Sequence, residues 1–218
     1  MEIARTGRAR AFGLLAPGLL APGLLVIAVL ALGAVRPALA GEVVFQAQVR
    51  NLGYPKPHLD NGKKFEDTVK LVLPGELFDP PRELSVVARG QVDQTTPEGA
   101  VRSDFSAWKA DDADWIKANF IAGEQAALAQ FLADSEIRAS SKAGFATLDS
   151  VFLWAVVRHE DYVLALITYG QVDDRSRGMT ATLIQEDGAW KRTNVLSGDA
   201  TLDFVWSAFR VGEMTARP

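Results

Sequence analysis

The sequence predicts an α+β fold, with short helices packed on an antiparallel sheet. Three observations lead there. Residues 42–50 (EVVFQAQVR) alternate, with Val43, Phe45, Ala47 and Val49 on one side and Val44, Gln46 and Gln48 on the other. Residues 96–134 carry apolar side chains at helical spacing. Residues 150–196 then return to β-branched and aromatic runs joined by tight turns. A last helical stripe follows, so the order is strands, helices, antiparallel strands, helix.

The N-terminal strands come first. After 42–50, NLGYPKPHLDNGKKFED has two Pro, two Gly and an Asn-Gly pair, which is turn chemistry. TVKLVL (68–73) reads as a second strand stopped by Pro74-Gly75. FDPPRE reads as a loop, and SVVARGQV (85–92) as a third strand. Helical signals start at Thr96. A hydroxyl precedes Pro97 and Glu98, which suits an N-cap, a proline in the first turn and an acid near the positive helix end. Val101, Phe105 and Trp108 continue at helical spacing. Asp111 or Asp112 is expected to cap a second helix carrying Trp115, Ile116, Asn119 and Phe120. Residues 122–133 form a third piece, with Leu128, Phe131 and Leu132 expected inward.

SVFLWAVV and YVLALITYG are apolar on both faces, so both faces should be covered. Arg158-His159-Glu160-Asp161 joins them. GMTATLIQE and AWKRTNVL meet at Asp187-Gly188, a two-residue hairpin signal. Leu202, Val205, Trp206 and Phe209 recur at helical spacing behind a capping Asp199. The tail GEMTARP is expected to fray. The helices are expected on one face of the sheet.

The first forty residues read as an export signal. Arg5, Arg8 and Arg10 precede an uncharged stretch, 11–35, and Ala38-Leu39-Ala40 offers small residues before Gly41. Cleavage at Ala40-Gly41 would make the protein periplasmic or extracellular. The alternative is an anchor formed by 11–35, long enough to span a bilayer. Pro17, Pro22 and the A-x-A end favour cleavage. The tandem LLAPG in this segment is a local duplication with no structural period. The expected organisation is a signal peptide (1–40), an N-terminal β segment (41–94) and an α+β domain (95–218).

Removing 1–40 leaves 178 residues with 19 basic and 26 acidic side chains, a net charge of −7. No basic cluster is present, so nucleic acid is not an expected partner. The chain has no Cys and two His. Disulfides, thiolate zinc sites, iron–sulfur clusters and a cysteine nucleophile are excluded. A multi-histidine metal site is excluded too. No cofactor and no metal are expected, and no phosphate-binding glycine loop or G-x-S-x-G elbow is present.

One resemblance concerns residues 95–211. A first helix ends in an acidic joint, Ala107-Trp108-Lys109-Ala110-Asp111-Asp112-Ala113-Asp114-Trp115. Shorter helices, long hairpins and a turn-Trp-basic strand, Asp187-Gly188-Ala189-Trp190-Lys191-Arg192, follow. This organisation resembles the nuclear-transport-factor-two-like superfamily of cone-shaped domains. The resemblance implies a curved sheet, a cavity between helices and sheet, and a homodimer formed through the sheet. Arg192 departs from it, since the family usually has an aliphatic residue there. The strands of 42–92 have no obvious counterpart, and either extend the sheet or form a subdomain.

Trp154, Tyr169, Trp190 and Arg192 are the candidate ligand-binding residues. Trp190 and Arg192 share a sheet face. If that face lined a cone, an aromatic wall with one cation would suit a small anionic or aromatic ligand. The competing reading is a packed core with Arg192 paired to a helix acid. His159 with Asp161 could act as a general base, although a hairpin tip is the simpler reading. His58 and Asp60 could ligate a metal but sit in a loop. Asp111, Asp112 and Asp114 read as capping acids without the glycine of a calcium loop. Asp173-Asp174 beside Arg175 and Arg177 reads as a solvated loop. No catalytic residue is assigned. The expected function is an exported, non-catalytic module binding a small molecule or an envelope protein. The alternative is a small lyase, isomerase or hydrolase, with His159, Asp161 or a helix acid as base and Arg192 stabilising an anion.

Overall fold

A computed structural model describes residues 41–51, 67–172 and 174–217, all within the unit Ala38–Pro218. The export segment, most of the loop expected over 51–67 and Asp173 lie outside the described residues. Seven antiparallel strands form one curved, unclosed sheet. They are β1 (Glu42–Gln48), β2 (Thr68–Ser85), β3 (Ser150–His159), β4 (Tyr162–Tyr169), β5 (Met179–Glu186), β6 (Ala189–Arg192) and β7 (Met214–Arg217). Their order is β6-β5-β4-β3-β2-β1-β7. Helices α1 (Pro97–Lys109), α2 (Ala113–Ala118), α3 (Gln125–Ala133) and α4 (Ser135–Ala146) follow β2, and α5 (Ala200–Arg210) follows β6. The α+β class read from the sequence is the observed one.

The N-terminal strands extend the main sheet. Instead of ending at Pro74, β2 changes neighbour there. Residues 68–74 pair with β1, and Gly75 onward pairs with β3. Pro74 therefore falls at the handover, where a missing N–H interrupts the ladder least. Gly75 is needed at the join, because a Cβ there would sit 2.6 Å from the Val156 carbonyl oxygen. The expected FDPPRE loop is a bulge inside the same strand. Leu77 faces Ala155 and Arg82 faces Leu153, so Phe78, Asp79, Pro80 and Pro81 bow out of register. The third strand expected over 85–92 is absent. The chain leaves the sheet at Ser85 and turns at Arg89–Gln91, and Val87 N–H donates to Ser106 Oγ of α1.

Helices cover both faces of the sheet, and not one as expected. On one face, Ala100, Val101 and Phe105 of α1 pack with Leu153, Val163, Ala165 and Ile167. On the other, Phe204, Val205, Ala208 and Phe209 of α5 pack with Phe45, Val157, Leu164 and Leu166. Alternate residues of β4 thus feed two separate cores. That is the physical reason for its unbroken apolar run. Trp154 is the extra residue of a bulge in β3, between the pairs Leu153–Ile167 and Ala155–Leu166.

The helix starts follow the capping chemistry. Thr96 Oγ1 accepts from Gly99 N–H, and Asp112 rather than Asp111 caps α2 through the N–H groups of Asp114 and Trp115. Asp199 accepts from Leu202 N–H to cap α5. Asp187 and Gly188 both have positive φ, as the hairpin signal requires.

Three helical details differ from expectation. Phe131 is exposed while Leu132 is buried. The buried stripe of α5 is Ala200, Phe204, Val205, Ala208 and Phe209. Trp206 turns outward instead, and its indole donates to the Gly178 carbonyl. Ala200 and Ala208 allow close approach to the sheet, but alanines are weak markers of an inward face. Finally, α4 has no sequence-based forecast. None of its residues is buried, so its pattern was polar; Asp134 caps it and Phe145 stacks on Trp108. The tail expected to fray is β7, paired with β1 after a turn at Gly212 and anchored by buried Met214.

The α5 geometry gives a direct comparison. Phe204→Ala should cost about 3–5 kcal/mol of stability, the usual range for an emptied aromatic core site. Trp206→Ala should cost about 1 kcal/mol, mainly its hydrogen bond and partial packing. Urea unfolding of the two variants measures the difference, and equal losses would contradict the observed rotation of α5.

Candidate functional site

The four candidate ligand-binding residues are divided by the sheet. Trp154 lies on the α5 face. Its Nε1 donates to Thr168 Oγ1 at 3.1 Å, Arg175 lies 3.9 Å above its ring, and Phe209 meets it edge-on. Tyr169 and Trp190 belong to the α1 face. Tyr169 packs between Phe105, at 5.9 Å, and Phe145, at 5.7 Å. Arg192 reaches from β6 to Asp104 of α1, with Nη1 2.5 Å from Oδ2. Both side chains are nearly enclosed, 11% and 5% exposed. Tyr169, Trp190 and Arg192 therefore share a side, and Trp154 does not.

Asp104 is the functional-looking residue that the sequence reading passed over. It falls three residues after Val101 and immediately before Phe105, so a carboxylate stands on a buried helix face. A charge on an apolar stripe was the available signal. Around it lies a connected polar cluster. Arg192 N–H donates to the Asn119 carbonyl at 2.7 Å, and Ile121 N–H donates to the Arg192 carbonyl at 3.1 Å. Asn119 Oδ1 accepts from Ser103 Oγ at 2.6 Å and from Gln94 Nε2 at 3.0 Å. Ser103 Oγ accepts from Trp115 Nε1. Residues 118–121 and Gln94 thus close the edge of β6. Burial pushes the Tyr169 phenol above its ordinary pKa, and the negative charge of Asp104 adds to this while Arg192 opposes it.

The remaining sequence candidates are dispersed. His159 ends β3 on the α5 side, with Nε2 3.4 Å from Asp199 Oδ1. It is largely enclosed and not on the solvated tip, which Glu160 forms with positive φ. Its carboxylate neighbour is the α5 cap. Asp111 binds Arg138 at 2.9 Å and Lys142 at 3.1 Å, and Asp114 binds Lys117 at 2.7 Å. Asp174 pairs with Arg177, while Arg175 covers Trp154. His58 and Asp60 lie outside the described residues. Among the described residues no three His, Asp or Glu side chains are grouped to hold a metal ion.

Two depressions flank the 118–124 segment. One, of 640 Å³, is lined by Asp114, Lys117, Gln125, Glu186, Asp187 and Lys191 among others. Its charges are partly engaged: Glu186 accepts from Ala122 N–H, and Lys191 Nζ donates to the Ala118 carbonyl. The second, of 470 Å³, is lined by Phe120, Glu124, Ala127, Leu128, Phe131 and Asn194. The Glu124 carboxylate is held by Thr193 Oγ1 and by both Asn194 donors, leaving a mainly apolar floor. Trp154, Tyr169, Trp190 and Arg192 do not line either depression. Comparison with protein-family models, curated proteins and solved structures returned no match.

Two stability outcomes follow from the ion pairs. Arg192→Ala strands the Asp104 carboxylate and should cost about 3–5 kcal/mol, whereas Asp104→Leu combined with Arg192→Met should recover most of that loss. Urea unfolding of both variants checks it. Hydrogen bonds from Arg138, then Lys142, hold the Asp111 carboxyl below its usual range. The unfolded chain then binds the proton more tightly, so this stabilisation is full above the ordinary carboxylate pKa of about 3.9 and is lost as pH falls below it. Asp111→Asn should flatten acid unfolding in that window, and an unchanged pH profile would remove the effect.

Proposed function

We propose that the chain is an exported, non-catalytic binding module whose working surface is the rim formed by α2, α3 and β6. The observation carrying this reading is the pair of adjoining depressions on that rim, one charged and one apolar. A surface with exposed Phe131 and Val195 beside an apolar groove suits recognition of a ligand or an envelope protein. Residues 1–40 support export, with cleavage before Gly41, and an anchor over 11–35 is the alternative. The likeness to cone-shaped domains supports a site between helices and sheet. The enzymatic alternative would use His159, Asp161 or a helix acid as base and Arg192 as anion stabiliser. His159 and Arg192 lie on opposite faces of the sheet, against α5 and α1, whereas the helix acid Asp104 is paired with Arg192.

Native mass spectrometry of the protein recovered from its host's envelope fraction tests this. The expected species begins at Gly41 and carries a bound small molecule or a second protein. Phe131→Ala should reduce the bound fraction. A bare species retaining residues 1–40, or turnover of a substrate abolished by one polar-to-Ala change, would overturn the proposal.

A further inference from the structure

The sheet ends differently on its two sides. At β6 the edge is covered: Trp190 N–H donates to the Gln94 carbonyl, Arg192 N–H to the Asn119 carbonyl, and Ile121 N–H to the Arg192 carbonyl. Past Gly75, the side of β2 away from β3 is interrupted by the bulge that carries Pro80 and Pro81. The opposite end of the sheet is β7, and no strand among the described residues lies on its outer side.

Register decides what that edge presents. Gln46 N–H donates to the Glu213 carbonyl at 2.9 Å, and Val44 stands opposite Thr215 and Glu42 opposite Arg217. An antiparallel ladder bonds through alternate residues. Glu213, Thr215 and Arg217 therefore bond toward β1, while Met214 and Ala216 turn their N–H and C=O groups outward. Side chains alternate too. Met214 is buried on the α5 face, so Glu213, Thr215 and Arg217 share the other face, where Thr215 and Arg217 are exposed. A two-fold axis through Thr215 would pair Met214 with Ala216 of a second copy, matching outward groups with outward groups. The same axis sets Thr215 against Thr215 and Arg217 against Glu213, the latter twice. Threonine pairs and opposite charges across strands are both favourable. Axes through Met214 or Ala216 would instead set Arg217 against Val211 or Thr215. Arg217 lies 3.5 Å from Glu42 of its own chain, and a guanidinium with five N–H donors can hold a second carboxylate as well.

We propose that β7 is a homodimer interface, where two copies pair antiparallel about Thr215 and join their sheets edge to edge. Each chain offers one such edge, because β6 is covered, so the contact closes on itself and does not propagate. The contact uses a sheet edge and not a sheet face, and β7 lies beyond the residues 95–211 that carry the resemblance to cone-shaped domains. Few residues meet, so the dimer is weak, with a dissociation constant of about 100 μM. The rim formed by α2, α3 and β6 stands at the other end of the sheet, and the proposal does not depend on what the rim binds.

The test is sedimentation equilibrium of the protein purified from its host, from about 10 μM to 1 mM, a range that brackets the expected constant. Glu213→Arg sets arginine against arginine in both charge pairs, and Arg217→Glu sets glutamate against glutamate. Each variant alone should self-associate about tenfold more weakly than the natural chain. An equimolar mixture of the two restores both opposite-charge pairs and should dimerise like the natural chain, which also shows that both variants are folded. Hydrogen exchange of the natural chain should slow at the Ala216 amide as concentration rises, with no matching change at Thr215, which already bonds to β1. A monomer throughout the range, a dimer indifferent to either charge reversal, or a mixture no better associated than its components would overturn the proposal. So would a complex in which a different protein protects the Ala216 amide and no dimer forms.

Discussion

The burial of β3 and β4 on both faces is the constraint from which the rest of the architecture follows. A strand whose alternate residues are Val163, Ala165 and Ile167 on one side and Leu164 and Leu166 on the other needs cover twice. The chain supplies α1 for one side and α5 for the other. Because α5 occupies the second face, the sheet must extend beneath it, and β1, β2 and β7 provide that extension. The N-terminal strands are therefore part of the support for the C-terminal helix, and cannot be separated from it without exposing Phe204, Val205 and Phe209.

Local irregularities make this arrangement fit. Trp154 adds one residue to β3, and residues 78–81 add more to β2 opposite it. The two bulges let neighbouring strands bend together. The bulge directs Trp154 toward Phe209 and under Arg175, so the tryptophan contributes to the α5 core. Pro74, Pro80 and Pro81 would oppose a regular central strand. They are accommodated because the ladder is handed over or interrupted where they occur.

The α1 face combines an apolar core with an enclosed polar edge. Asp104 and Arg192 join a helix to the last strand of the hairpin sheet, while Asn119 and Gln94 close the strand edge. A short edge strand covered in this way is protected against pairing with other chains. The same closure places the exposed rim, with its charged and apolar depressions, beside the buried cluster. Phe120 touches both, lying under the Arg192 guanidinium and lining the apolar depression.

Much of the secondary structure was determined by sequence alone, because its causes are local. Thr96, Asp112 and Asp199 cap helices with their own side chains, and Asp187-Gly188 turns a hairpin through its own backbone preferences. The α+β class follows from the change of period along the chain. Other features required the tertiary structure. Pro74-Gly75 reads as a stop until β3 is seen taking over from β1. The polar α4 has no buried residue to mark it, and MTAR becomes a strand only because β1 offers an edge. The candidate residues were divided for the same reason: Trp190 and Arg192 share a face by simple alternation, but one inserted residue at Trp154 and the position of α5 decide what lies opposite. Sequence records spacing along the chain, whereas the side of the sheet each residue faces depends on register, bulges and the helix that arrives to cover it.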